Sequence, residues 1–450
     1  MSELPTAVVG EARTSDFAWE ILTNLTDIGN RMAGQEGERR GAGVIRDAFA
    51  EAGLRDPHLE EFSIPGWWRG DSQVTLSGPV ERVHSRSHEV IALPGTPSGS
   101  AEAPLVDVGA GTYEEFDEHG DELAGAIVLA SSATPDDYPR WLHRMEKYAQ
   151  AAEAGAAAFV FRNHSEGSLP PTGEVGYHNR PGPIPAVGVS KEVGDRLTRL
   201  SASERRATIS VDVDCRNEAT TSVNAVADVG PNTDEAVLLT AHVDAHDIAD
   251  GANDNGAGSA LVAEVGRLLS MVETDLDTRV RLATFGAEET GLWGAYHMAD
   301  TTPHEEIKCV VNLDGACNSR DLRIGSNGFQ SMTAVFASVA KAFDAPLKMG
   351  DTISPHGDQW AFVQEGIPAV MASTSSGQSG RGWGHTHADT LDKLDSRDLR
   401  EIATLVSEAV FRLAGDDIET PHQSRETIQD EIPDGYEREL KTGGRWPYDK

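Results

Sequence analysis

The spacing of hydrophobic residues changes along the chain and divides it into parts. Over residues 1–85, apolar side chains recur three or four positions apart, as at Phe17, Ile21 and Leu25, which is typical of amphipathic helices. Residues 86–215 instead carry short apolar runs between Gly/Pro turns, with only one long predicted helix, Arg140–Ala154. This pattern predicts a small β-rich domain inserted between two parts of a larger domain.

Predicted strands and helices alternate over residues 216–415. Helices are expected between and after the apolar strands, which are predicted at Ala236–Ala241, Val280–Gly286, Cys309–Leu313 and Ala369–Ala372. The alternation predicts a mixed, largely parallel sheet with helices on both faces, which is a three-layer α/β/α fold. Residues 416–450 are polar and rich in charge and proline, so we expect a surface tail there.

Residues of the kinds that bind metal ions follow several of these strands. Each of these residues alone is weak evidence for a metal site, because acidic residues between a strand and a helix often cap the helix. Together they supply two imidazoles and several carboxylates from different strand ends, which suits two divalent cations and a base. The residues in question are His242, Asp254, Glu288, Glu289, Asp314 and His385.

The order of the motifs resembles that of the co-catalytic zinc exopeptidase family, which includes bacterial aminopeptidases and carboxypeptidase Q-type dipeptidases. The matching segments are AHVD…GANDNGAGSA, FGAEETGLWGA, NLDGA and GHTHADT. The insert carries GAIVLA, then an amphipathic helix, then AGAAAFVF, and so resembles the protease-associated domain. That resemblance implies a lid or a substrate-access element.

The resemblance also implies a set of metal ligands for two zinc ions per chain. His242 and Asp314 match ligands of the first ion, and Asp254 matches the carboxylate that bridges both ions. Glu289 and His385 match the ligands of the second ion. Zinc accepts imidazole nitrogen and carboxylate oxygen, and catalytic sites keep one position open.

Two further residues match the catalytic machinery of that family. Glu288 matches the glutamate that acts as general base on a metal-bridged water, and Asp244 matches the aspartate that orients His242. Adjacent side chains on an extended segment diverge, so Glu289 can bind metal while Glu288 faces substrate. These matches imply hydrolysis of terminal peptide bonds.

The substrate class is left open among several readings. An aminopeptidase is the first interpretation, and a carboxypeptidase Q-like dipeptidase is the alternative. A non-catalytic receptor on the same scaffold would have lost ligands, whereas this chain keeps every ligand type and the base. A glutaminyl cyclase-like acyl transferase with a single zinc is disfavoured by the predicted insert.

Four residues near the motifs have no assigned role. His387 does not align with a residue of the family motif and is either substrate-facing or solvated. His246 is expected in a solvated loop. Asp358 and His356 are candidates for lining the pocket. Trp383-Gly384 stands where some aminopeptidases have a carbonyl-polarising tyrosine, so no oxyanion-stabilising residue is assigned.

Composition excludes some partners. The chain has 73 acidic and 38 basic side chains, a formal net charge of −35, dispersed along its length. This charge disfavours nucleic acid and anionic membranes and suggests adaptation to high salt. The three cysteines, and the lack of an evident signal peptide or membrane span, predict a cytoplasmic protein that acts on peptides. The sequence does not predict an oligomeric state.

Overall fold

A computed structural model of the chain describes residues 3–78, 81–177, 180–202, 208–375 and 382–449. The chain divides into two compact units of several segments each. The first unit consists of Met1–Ile64, Thr221–Gln378 and Asp389–Tyr436, and the second of Pro65–Thr220, Ser379–Ala388 and Glu437–Lys450. Each unit therefore contains residues that are far apart in the sequence.

The secondary-structure elements are numbered here in chain order. The strands are β1 (Arg55–Ser77), β2 (Arg82–His84), β3 (Val90–Ala92), β4 (Gly99–Ala103), β5 (Leu105–Asp107), β6 (Ile127–Ser131), β7 (Ala158–Arg162), β8 (Ala186–Val189), β9 (Thr208–Val229), β10 (Ala236–His242), β11 (Arg279–Phe285), β12 (Ile307–Leu313), β13 (Leu322–Gly325), β14 (Leu347–Gly350) and β15 (Ala369–Thr374).

The helices alternate with these strands. They are α1 (Thr6–Ala12), α2 (Phe17–Thr26), α3 (Glu36–Glu51), α4 (Tyr113–His119), α5 (Arg144–Glu153), α6 (Lys191–Ser201), α7 (Ala257–Ser270), α8 (Trp293–Thr301), α9 (Gln330–Phe343), α10 (Trp360–Val363), α11 (Ser396–Leu413), α12 (Arg425–Glu431) and α13 (Asp434–Thr442). Within the described residues, no helix is both long and apolar enough to cross a membrane.

The first unit is built on a mixed sheet with the strand order β14-β13-β15-β12-β10-β11-β9. β10 pairs in parallel with β11 and β12, and β12 pairs in parallel with β15. β9 is antiparallel to β11, and β13 is antiparallel to β15. β10 and β12 are buried along their whole length, which explains their continuous apolar sequences.

Helices cover both faces of this sheet. Apolar residues of α2, α3, α7, α9 and α11 form one core with alternate residues of the central strands, such as Val280 and Leu282. Phe285 points to the opposite face, because side chains alternate along a strand. There its ring stacks on Phe362 of α10, with ring centroids 6.3 Å apart. The predicted three-layer α/β/α fold is confirmed.

The pairing of the strands brings several polar residues to one edge. His242, the last residue of β10, is in register with Phe285, the last residue of β11. β12 runs parallel to β10 and ends at Leu313, directly before Asp314. Parallel strands present their carboxyl ends at the same edge, which is where α/β folds bind ligands.

The second unit contains a separate five-stranded sheet with the order β3-β8-β7-β6-β5. β5, β6, β7 and β8 are parallel neighbours, and β3 is antiparallel to β8. The long predicted helix begins at Arg144 rather than Arg140, because the His143 side chain caps it by accepting the backbone N–H of Met145. α4 was not predicted.

The C-terminal residues contain two helices, α12 and α13, where the sequence analysis expected a surface tail. Four apolar side chains at four-residue spacing are buried there: Ile428, Ile432, Tyr436 and Leu440. This spacing gives the segment an amphipathic face, which its overall polar composition hides.

Candidate metal centre

His242 lies among a group of carboxylates and is almost fully buried. Its Nε2 atom is 3.3 Å from Asp254 Oδ1, 3.7 Å from Asp314 Oδ1 and 3.9 Å from Glu288 Oε2. One ligand atom each from His242, Glu288 and Asp314 lies within 4.8 Å of the others. The structure therefore brings together predicted site residues from three strand ends and from the loop before α7.

Asp244 holds the other side of the His242 ring. Nδ1 of His242 is 3.1 Å from the backbone oxygen of Asp244 and 3.4 Å from its Oδ1. The two carboxylate oxygens of Asp244 accept the backbone N–H groups of Glu288 and Glu289, each at 3.1 Å. Asp244 thus orients the imidazole, leaving Nε2 for a metal, and also anchors the pair of glutamates.

Asp254 lies in an irregular turn, Ala252–Gly256, where its φ of −118° and ψ of 84° are not helical. The backbone N–H groups of Asn253 and Asp254 donate to the two carboxylate oxygens of Asp389, at 2.9 and 3.0 Å. The buried guanidinium of Arg31 donates to the carbonyls of Asp250 and Gly251, at 2.7 and 3.0 Å. These contacts fix the loop that presents Asp254 to His242.

Glu38, on α3, holds the residue that precedes the glutamate pair. Its Oε1 accepts the backbone N–H of Ala287 at 2.9 Å and the Ser222 hydroxyl at 2.8 Å. Its Oε2 accepts the backbone N–H of Gly34 at 2.8 Å. Ala287 has a φ of 57°, a left-handed conformation that residues with a side chain rarely adopt. Glu38 therefore supports the turn from which the glutamates project.

The two neighbouring glutamates point to different histidines. Glu288 Oε2 lies 3.9 Å from His242 Nε2, whereas Glu289 Oε2 lies 2.9 Å from His246 Nε2. The side chains diverge, as neighbouring positions on an extended segment do. One carboxylate can therefore bind a metal while the other performs a different role.

The charges of this group are strongly perturbed. Burial raises the pKa of Glu288 well above its ordinary value; His242 opposes this effect, and Glu289 and Asp358 reinforce it. Burial alone would lower the pKa of His242, but Glu288 and the surrounding aspartates raise it well above its ordinary value. Acids held together in this way favour a bound cation, which neutralises their repulsion.

The donor set fits zinc. A buried imidazole and several carboxylates are the ligands that catalytic zinc accepts, and ligand atoms on tetrahedral zinc lie about 3.3 Å apart. The separations of 3.3 Å from His242 Nε2 to Asp254 and 3.7 Å to Asp314 are close to that value. The distances from His242 Nε2 to Asp254 and Asp314 are therefore compatible with zinc ligation.

His385 belongs to the second unit, in the segment Ser379–Ala388. It is buried, with a φ of 55°, and its backbone carbonyl accepts the N–H of Thr172 at 2.8 Å. Its Nδ1 lies 3.3 Å from the carbonyl oxygen of Thr172. This geometry orients the ring within the second unit, and ligation of the second ion by His385 stays a prediction. His387, two residues later, is exposed.

Two of the residues without an assigned role, His246 and Asp358, are almost fully buried. The solvated-loop interpretation of His246 is wrong, because only 4% of its surface is exposed and its ring lies against Glu289. Asp358 is fully buried, and its pKa is raised well above its ordinary value by burial and by Asp244 and Asp314. His356 is half-buried and packs edge-on against Tyr436, with ring centroids 5.5 Å apart.

Sequence reasoning gave no role to three residues that support the site. Asp389 was visible inside the GHTHADT motif, so its role could have been considered from the sequence. Arg31 and Glu38 carry no local signal, because their partners Gly251 and Ala287 are more than 200 positions away in the sequence. Only the fold reveals such contacts.

Comparison with known proteins agrees with this geometry. Residues 224–410 match Peptidase family M28, and residues 101–197 match the PA domain. The chain is 27% identical over 416 residues to aminopeptidase YwaD of Bacillus subtilis, which covers 88% of this chain and 84% of that protein. It is 24% identical over 413 residues to bovine (Bos taurus) carboxypeptidase Q, covering 88% and 85% of the two chains.

A solved structure gives the same picture. The structure of BSAP, a zinc aminopeptidase from Bacillus subtilis, matches with a TM-score of 0.70 and 26% identity, covering 91% of this chain and 96% of that one. The resemblance inferred from the motifs, including the inserted protease-associated domain, is confirmed. The chain is therefore similar to peptidases of family M28 over residues 224–410 and to PA domains over residues 101–197.

Proposed function

We propose that this chain is a zinc-dependent exopeptidase that removes residues from the N-terminus of peptides. The observation that carries the proposal is the buried group in which His242, Asp254 and Asp314 are spaced as zinc ligands, with Glu288 beside them. The similarity to aminopeptidase YwaD and to the zinc aminopeptidase from Bacillus subtilis supports hydrolysis from the N-terminus.

The proposed enzyme holds two zinc ions. His242 and Asp314 would hold the first ion, Glu289 and His385 would hold the second, and Asp254 would be shared by both. For His385 the support is the match to the family motif. Zinc is favoured by the mixture of imidazole and carboxylate donors, and cobalt or manganese is expected to replace it in vitro.

The proposed reaction uses the side chains in distinct roles. Bound ions would supply Lewis-acid chemistry, which polarises the scissile carbonyl group and makes the attacking water easier to deprotonate. Glu288 accepts the proton of that water and delivers it to the leaving amine. Asp244 keeps His242 and the backbone of Glu288 in place, and Glu38 supports Ala287 before it. The proton acceptor is thus fixed relative to the ligands.

A carboxypeptidase Q-like dipeptidase is the second candidate. The similarity to bovine carboxypeptidase Q extends over as much of this chain as the similarity to aminopeptidase YwaD. A non-catalytic receptor is disfavoured, because the proposed base Glu288 and the proposed ligands are all present. The choice between the two peptidases depends on which substrate terminus is recognised.

One assay separates these candidates. Zinc per chain is measured together with hydrolysis of aminoacyl-nitroanilides, free dipeptides and N-blocked peptides. An aminopeptidase cleaves the nitroanilides, a dipeptidase cleaves only the free dipeptides, and a receptor cleaves none. Activity on N-blocked peptides alone would rule out the aminopeptidase, and a chain without bound metal would overturn the whole mechanism.

Glu288→Gln tests the role of the base. The variant should keep its zinc and lose about 10²–10⁴-fold in kcat, because general base catalysis contributes that much. Glu305→Gln, at an exposed glutamate, serves as the matched control and should leave kcat unchanged. A Glu288→Gln enzyme with near-normal kcat would show that another group takes the proton.

We also propose, from composition, that the protein works in a salt-rich cytoplasm. A net charge of −35 destabilises the compact state by self-repulsion, and molar salt screens that repulsion. The assays above are therefore best performed in molar KCl. Equal activity at low and at molar KCl would contradict this proposal.

A further inference from the structure

His246 lies four residues after His242, in the loop that follows β10, and its ring is buried against Glu289. Its Nε2 is 2.9 Å from Glu289 Oε2, and the two side chains are 4% and 3% exposed. Both residues belong to the first unit. The motif match assigns no role to His246, so this contact is a feature of this chain that the family pattern does not explain.

The pair is held by anchored backbone on both sides. The backbone N–H of Ala245, directly before His246, donates to the carbonyl of Arg31 at 3.0 Å. Arg31 in turn donates through Nε to the carbonyl of Val243 at 3.0 Å. The backbone N–H of Glu289 is bound by Asp244 at 3.1 Å. Packing thus fixes the 2.9 Å separation, so the pair is not a chance contact of a surface loop.

We infer that His246 supplies an additional imidazole ligand to the second metal ion, beside Glu289; this inference rests on the proposed function. An imidazole nitrogen and a carboxylate oxygen bound to one tetrahedral zinc lie about 3.3 Å apart. The observed separation of 2.9 Å needs to widen by only a few tenths of an ångström to bind an ion.

A second imidazole changes which metal the second site prefers. Imidazole suits zinc, cobalt and nickel, whereas carboxylates and water suit manganese and magnesium. With His246 as a ligand, the second site is richer in nitrogen than the motif match alone implies. It should therefore select zinc or cobalt over manganese more strongly than a site without this residue.

The test counts metal ions and imidazole ligands in the full-length protein. Zinc affinity is measured by competition with a chelator, and the number of imidazoles per zinc is measured by X-ray absorption on the two-zinc form. The wild type should show three imidazoles across two ions, and His246→Gln should show two. The affinity for the second ion should fall by more than the 10–100-fold that loss of an outer hydrogen-bond partner causes.

Two further variants make the result decisive. His304→Gln, at a histidine in the surface turn His304–Glu306, is the matched control and should keep both affinities and three imidazoles. His246→Asp supplies a carboxylate ligand, so it should recover the second ion and shift its preference toward manganese. This recovery would also show that the site is intact if His246→Gln folds poorly.

The outcomes also separate this inference from the proposed function. If the wild type binds two zinc ions and cleaves peptides, but His246→Gln keeps three imidazoles and its second-site affinity, the inference is wrong and the proposed function stands. The inference is also wrong if His246→Gln keeps three imidazoles and loses less than about tenfold in affinity for the second ion. A wild type without bound metal overturns the proposed function itself.

Discussion

In the first unit, the acids Asp254, Glu288 and Asp314 lie within 4 Å of the imidazole of His242. In the second unit, the buried acids described below are paired with arginines. Arg140 binds Glu146 and Glu439 at 2.6 and 2.9 Å, and all three side chains are almost fully buried. The Glu174 carboxylate forms an ion pair with Arg445, and Arg144 donates to the backbone carbonyl of the same residue.

The difference separates structural charge from functional charge. In the second unit the buried acids Glu146, Glu439 and Glu174 have their counter-charges within the chain, so these groups stabilise the fold without a ligand. In the first unit, burial raises the pKa of Glu288 and of Asp358 well above its ordinary value, and neighbouring carboxylates reinforce this effect against the opposing influence of His242. Such a group of perturbed acids is typical of a functional site.

The largest expected effect comes from His242→Ala. Loss of this ligand should abolish zinc binding at the first site and reduce peptide hydrolysis to background, because the site loses its proposed imidazole ligand. In the wild type, added zinc should raise Tm through binding to the folded state, and the variant should lack this rise. A variant that keeps its zinc and the rise in Tm would show that the acids near His242 need no imidazole.

Arg140→Met tests the other side of the comparison. It leaves Glu146 and Glu439 buried without their shared guanidinium, which should cost about 3–5 kcal/mol in the free energy of unfolding. Zinc content at saturating metal should not change. Arg199→Met, at an exposed arginine of α6, should cost less than about 0.5 kcal/mol. Urea unfolding followed by circular dichroism measures both variants, and equal values would contradict a structural role for Arg140.

Asp389→Asn should have an intermediate effect on the first unit. The amide keeps one neutral oxygen acceptor, so one of the two N–H groups at Asn253 and Asp254 loses its acceptor and faces an NH2 group instead. Zinc affinity should fall about 10–100-fold, as for other residues that orient a ligand. Asp392→Asn, at an exposed aspartate nearby in sequence, should keep its affinity. Unchanged affinity in Asp389→Asn would mean that the loop holds Asp254 without this contact.

Lys147 is a buried charge of the second unit that is bound by backbone carbonyls rather than by an acidic side chain. Its ammonium donates to the carbonyls of Ser131 and Ala133 at 2.8 and 3.0 Å, and burial lowers its pKa to about 7. Between that pKa and its ordinary value, the unfolded chain binds a proton that the folded chain lacks, so stability rises with pH in this window. Below the folded pKa, the cost of burying the charge is fully present.

Lys147→Met removes this titration, and its effect is expected in the pH dependence of stability rather than in zinc binding. Between pH 7 and 10, the unfolding free energy of the wild type should rise relative to that of the variant. The expected rise is at most about 1.4 kcal/mol per pH unit. Unfolding in urea at a series of pH values measures the difference. Parallel curves for the two proteins would show that Lys147 keeps its proton throughout.

The sequence alone determined the sheet and most of the candidate site. The apolar runs of β10, β11 and β12 are long, and each is followed by a residue of distinctive chemistry, so strand, edge and ligand could be predicted together. The predicted helices Ala257–Met271 and Ser396–Ala414 agree with α7 and α11 within one residue at each end. The short elements α1, α4, α12, β13 and β14 were not predicted, because they are too short to show a period.

Only the tertiary structure decided which residues support the ligands. Arg31, Glu38 and Asp389 act by accepting or donating backbone hydrogen bonds to segments distant in the sequence, and such contacts have no local pattern. His246 shows the same limit: the sequence placed it in a polar loop, but packing of that loop against the Glu289 segment buries it. Spacing specifies which residues can be ligands, whereas long-range packing specifies which of them meet and how they are held.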